Sequence, residues 1–101
     1  MIHGCAIKVD NSGQYLYISI RGDNSISVFD IQDGKLRLIQ NVDSRGECPK
    51  DITIDSYGKY LFCANQNSNK VAIFEIDSGR LKFKNEFDLE EPSCIFVDSG
   101  N

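Results

Sequence analysis

The chain has a single histidine and no two adjacent basic residues, and these scarcities exclude several chemistries at once. One imidazole, with no C-x-x-C pair among Cys5, Cys48, Cys63 and Cys94, leaves neither the ligands nor the spacing of a zinc site or a thioredoxin-like motif. The cysteines are read instead as reduced thiols, small buried hydrophobes of a cytoplasmic protein. Without a basic run, and with a formal charge of −4, the chain lacks the electrostatic footprint of a nucleic-acid or anionic-membrane binder. No apolar stretch approaches a membrane span. The segment from Met1 has no basic start and is broken by Lys8 and Asp10, so no secretory signal is expected.

What is present is a soluble-protein composition, 41% apolar and 26% charged, in 101 residues, enough for one small domain with a modest core. The dominant signal is an internal repeat. The segment from His3 to Gly46 slides onto that from Cys48 to Glu91 without a gap. Ile7 falls on Ile52, Asp10 on Asp55, Gly13 on Gly58, Tyr15 on Tyr60, Asn24 on Asn69, Phe29 on Phe74, Gly34 on Gly79 and Leu36 on Leu81. A third copy begins at Pro92 and ends after what would be its first strand.

Within each unit, short runs rich in Ile, Val, Tyr and Phe alternate with Gly, Asn, Asp and Ser, the pattern of strands and turns. Four strands are expected per unit: Cys5 to Val9, Tyr15 to Ile20, Ser25 to Ile31 and Leu36 to Val42, then Asp51 to Ile54, Tyr60 to Ala64, Lys70 to Ile76 and Leu81 to Phe87. No segment reads as a helix. Asp10 and Asp55 are placed to cap their own turns, and Gly13 and Gly58 to supply a positive φ. Gly34 and Gly79 mark the third hairpin of each unit. The middle strands are apolar on both faces and need cover on both sides. Radially stacked four-stranded sheets supply it, and the repeat length is that of a propeller blade. A two-sheet sandwich explains the strands but not the repeat. The fold class expected is all-β, a β-propeller fragment of two four-stranded antiparallel blades plus one closing strand, divided at 1–47, 48–91 and 92–101.

The run from Leu16 through Arg21-Gly22-Asp23-Asn24-Ser25 to Phe29, followed by Gly34-Lys35-Leu36, resembles the seven-bladed lactonase family, which includes propeller phosphogluconolactonases and the fungal carboxymuconate-lactonizing enzyme. The resemblance continues through Cys48-Pro49-Lys50-Asp51, Gly58-Lys59-Tyr60-Leu61 and Ala64-Asn65-Gln66 and covers nearly the whole chain. It implies the last two of seven blades, with Pro92 to Val97 as a strand that completes a ring.

The activity implied is hydrolysis of a sugar lactone such as 6-phosphogluconolactone, without metal or cofactor, in a central channel. Opening a lactone needs an activated water and stabilisation of the charge growing on the carbonyl oxygen. Of the catalytic set the resemblance implies, only Arg21 maps here, a guanidinium able to hold a carboxylate, a phosphate or the developing oxyanion. Lys50 stands in a slot usually held by Arg, keeping the charge but losing the planar fork. Gln66 is the other substrate-binding candidate, although it and Asn65 also suit backbone bonding. His3 lies near the N-terminus in a slot that opens many blades and is not the catalytic imidazole of the family. The implied partner is a small-molecule lactone, and the chain alone is expected to be inactive. The alternative is a non-catalytic propeller repeat acting as a binding or structural module. Exposed blade faces predict self-association.

Overall fold

The computed structural model describes residues 5–20, 23–46, 49–65 and 68–88, and these form eight strands in two antiparallel sheets. The first sheet contains β1 (Cys5–Val9), β2 (Tyr15–Ile20), β3 (Ser25–Gln32) and β4 (Lys35–Asp43); the second contains β5 (Pro49–Ile54), β6 (Tyr60–Asn65), β7 (Lys70–Asp77) and β8 (Arg80–Asp88). Each sheet is a simple meander in chain order. Each of the eight strands expected in the two repeat units is present, with bounds differing by two residues at most. The third copy of the repeat, 92–101, lies outside the described residues.

The turns follow from local chemistry. Asp10 Oδ1 accepts the backbone N–H groups of Gln14 at 2.9 Å and Tyr15 at 3.1 Å; Asp55 Oδ1 does the same for Lys59 and Tyr60 at 2.7 and 3.1 Å. The third hairpins close through Asp33-Gly34 and Ser78-Gly79, all four residues at positive φ between 50° and 81°. Two successive left-handed residues are the signature of the type I′ turn, whose twist matches that of the strands it joins.

Side chains alternate across a sheet, so the register sorts each unit into two faces. In the first sheet Tyr17, Ile26 and Val28 share a face and are fully buried. They pack against the face of the second sheet that carries Ile52, Leu61, Cys63, Ala72, Phe74 and Leu81, and together these nine residues form the core. The sheets come closest at their first strands, β1 beside β5, which is the wedge-like stacking of neighbouring blades around an axis.

Polar groups pin the apolar contact. The Tyr17 hydroxyl donates to the Gly79 carbonyl at 2.8 Å. The Gln40 amide reads the backbone of Leu81 twice, donating to its carbonyl at 2.8 Å and accepting its N–H at 2.7 Å. On the outer edge Arg80 donates to the Ile39 carbonyl at 2.9 Å. Among the described residues no buried side-chain polar atom lacks a partner.

Candidate functional site

The strand ends that carry the sequence candidates meet at one end of the stacked sheets. Cys5 pairs with Ile20, Ile20 with Ser25 and Ser25 with Asp43; in the second sheet Pro49 pairs with Asn65, Asn65 with Lys70 and Lys70 with Asp88. Ile20 and Asn65, which immediately precede Arg21 and Gln66 in the chain, therefore lie at the same end as the start of β5. Arg21 and Gln66 themselves lie outside the described residues. For Lys50 the backbone is described: β5 steps from the pair Pro49 and Asn65 directly to Asp51 and Ala64, so Lys50 is the extra residue of a β-bulge. Bulges recur beside functional sites.

A buried polar chain holds this end together. Asn65 is fully buried, and its amide donates to the Ser44 carbonyl in the connection between the sheets at 2.9 Å. The Ser44 hydroxyl in turn donates to the Gly46 carbonyl at 2.8 Å, and the Cys63 thiol reaches Asn65 Oδ1 at 3.7 Å. Gly46 is required by packing: a β-carbon there would stand 2.6 to 2.9 Å from the Asn65 side chain. Burial, with the carboxylate of Asp51 nearby as a smaller cause, pushes the Cys63 thiol up to about 12. This cysteine is inert at neutral pH, since the thiolate is the reactive species.

Beside this chain lies an open cavity of about 550 Å³ lined by Asp23, Asn24, Asp43, Arg45, Gly46 and Glu86. Arg45 was not singled out in the sequence. It sits at φ 69°, its N–H donates to Asp43 Oδ1 at 2.7 Å, and its guanidinium lies 4.1 Å over the Phe83 ring. The signal that could have marked it is its place as the cation of the Asp43-Ser44-Arg45-Gly46 connection. Three carboxylates against one guanidinium give this cavity no net attraction for an anion. Among the described residues no cluster of His, Cys, Asp and Glu could hold a metal ion.

Residues 2–97 match the family described as Lactonase, 7-bladed beta-propeller. Over 50 residues the chain is 36% identical to 6-phosphogluconolactonase of Bacillus subtilis (strain 168), a match spanning 48% of this chain and 14% of that protein. The solved structure of a periplasmic gluconolactonase from Pseudomonas aeruginosa superposes with a TM-score of 0.86 at 25% identity, covering 92% of this chain and 27% of the other. A protein from Lactobacillus plantarum does so with a TM-score of 0.88 at 32% identity, covering 93% and 29%. The chain thus spans less than a third of the proteins it matches. Two meander sheets stacked at their first strands, in a sequence matched almost throughout, place this chain in the seven-bladed lactonase β-propeller family.

Proposed function

We propose that this chain supplies two blades of a propeller that hydrolyses a sugar lactone of the 6-phosphogluconolactone type, and that it is inactive by itself. The observation that carries this reading is the family match across residues 2–97, combined with a register that gathers the strand ends next to Arg21, Lys50 and Gln66. In this reading Arg21 stabilises the developing oxyanion or holds the substrate's anionic group, while Lys50 and Gln66 bind substrate at the rim. The general base comes from other blades. A cytoplasmic setting belongs to the same proposal. Self-association also belongs to it, because large apolar side chains remain exposed on the sheets.

The test is lactonase assay of the 101-residue chain alone and of a full seven-bladed family member in which residues 2–97 replace the matching blades. The expected result is no hydrolysis by the chain alone and turnover by the chimaera. In the chimaera, Arg21→Ala should lower kcat about 10²-fold or more, the usual effect of losing one oxyanion donor. Turnover by the isolated chain that survives Arg21→Ala would overturn the assignment.

A further inference from the structure

We propose that Asn65 is a positioning residue for lactone hydrolysis: its buried amide fixes the turn that follows Arg21 in the first sheet against the strand ends beside Lys50 and Gln66 in the second. The proposal rests on the reading of Arg21 given above. Asn65 is fully buried, so it acts through what it holds and not by touching a substrate.

The site candidates come from two sheets, and their spacing depends on how the sheets are tied at this end. The Tyr17, Gln40 and Asn11 side chains bond Gly79, Leu81 and Ser56, which lie toward the opposite end of the second sheet. At the candidate end the tie is made by Asn65. Its Nδ2 donates to the Ser44 carbonyl at 2.9 Å, and the Ser44 N–H donates onward to the Asn24 carbonyl at 3.0 Å. Asn24 follows Arg21-Gly22-Asp23 directly in the chain. The Asn65 backbone pairs with Pro49, one residue before the Lys50 bulge, and Gln66 comes next after Asn65. One hydrogen-bonded path therefore runs from the turn after Arg21, through the connection between the sheets, to the strand ends at Lys50 and Gln66. Support of this kind behind a site is what holds its geometry to a fraction of an ångström.

The Asn65 amide has one orientation open to it. Oδ1 receives the Cys63 thiol at 3.7 Å, and a reversed amide would set that oxygen against the Ser44 carbonyl, two acceptors facing each other. Gly46 closes the remaining space, since a β-carbon there would stand 2.6 to 2.9 Å from the Asn65 side chain. The repeat shows that the strand itself does not call for an amide here. Forty-five positions earlier the same slot holds Ile20, which pairs with Ser25 as Asn65 pairs with Lys70. An aliphatic side chain is enough to end the strand; the amide serves the connection to the neighbouring sheet.

The test uses the seven-bladed chimaera carrying residues 2–97 and compares Asn65→Ala with Gln40→Ala, which also removes a bond between the sheets but on their outer strands. With both variants shown to be folded at the assay temperature, Asn65→Ala should lower kcat/KM by about 10- to 10²-fold, the effect of a displacement of about 1 Å. Gln40→Ala should leave it unchanged. Added to Arg21→Ala, Asn65→Ala should cost no more than about twofold beyond Arg21→Ala alone, because residues that act as a unit are not additive. Hydrogen exchange read by mass spectrometry follows the same path without turnover: the 44–46 amides should exchange faster in Asn65→Ala than in Gln40→Ala. Gly46→Ala, which drives the Asn65 amide off Ser44 without removing it, should reproduce both effects and stands in if Asn65→Ala does not fold. A loss in Asn65→Ala no greater than in Gln40→Ala, a loss that multiplies with that of Arg21→Ala, or unchanged exchange at 44–46 overturns the positioning role and leaves the Arg21 assignment standing. Full activity in Arg21→Ala overturns the Arg21 assignment itself, and the positioning role with it.

Discussion

Replacing either of two equivalent glycines by alanine separates backbone strain from interdomain packing in this fold. Gly34 and Gly79 occupy the same place in successive repeats, with φ of 74° and 81°. An added β-carbon at Gly34 meets nothing within 4 Å, whereas at Gly79 it would stand 2.3 to 2.6 Å from three carbons of the Tyr15 ring. Both substitutions incur the left-handed penalty of an L-residue, about 1–2 kcal/mol. Gly79→Ala adds an overlap with a ring that cannot retreat without disturbing the contact between the sheets, and overpacking of this kind costs about 1–3 kcal/mol more. The carbonyl of Gly79 also accepts the buried Tyr17 hydroxyl, so any shift of the turn strains that bond. Urea denaturation at low protein concentration should therefore rank Gly79→Ala as less stable than Gly34→Ala by about 1–3 kcal/mol. Equal losses at the two sites would refute the claim that the Tyr15 contact, and not the turn itself, makes Gly79 necessary.

Three further outcomes follow from buried groups. Gln40→Ala leaves the N–H and carbonyl of Leu81 without their partner between the sheets and should cost about 1–3 kcal/mol in the same assay, while Gln32→Ala, exposed at the end of β3, should cost nothing measurable. Asn65→Ala strips the Ser44 carbonyl of its donor and should destabilise by a similar amount, about 1–3 kcal/mol, with faster amide exchange in 44–46 by NMR. Cys63 should resist alkylation at neutral pH until the chain is unfolded, as read by mass spectrometry of its peptide. Because its folded value is raised to about 12 from an ordinary 9.0, the unfolded chain loses this proton first. Stability from this group is fully present below pH 9 and declines between pH 9 and 12, by up to about 1.4 kcal/mol per pH unit, and Cys63→Ala should flatten that decline.

Much of this architecture was legible in the residues because it is local. Alternating apolar runs between Asp- and Gly-containing turns specify strands and hairpins through bonds that span a few positions, such as Asp55 to Lys59 and Tyr60. The bulges were not legible. Extra residues opposite Val28 and Phe29, opposite Ile73 and Phe74, and at Lys50 arise from how paired strands accommodate twist, which no single strand's pattern reveals. Arg45 escaped for a related reason, since its ring partner Phe83 belongs to the other sheet.

The sequence by itself determined the four strands of each repeat unit, the two-fold repeat and the turn chemistry, because each depends on side chains close together along the chain. Only the tertiary structure decided which face of each sheet is covered. Ile7 and Ile52 are the same residue in the same slot of the repeat, yet one is 64% exposed and the other 4%. Burial belongs to neighbours brought from elsewhere in the fold, and contacts such as Tyr17 with Gly79, Gln40 with Leu81 and Asn65 with Ser44 join residues that the repeat alone does not pair.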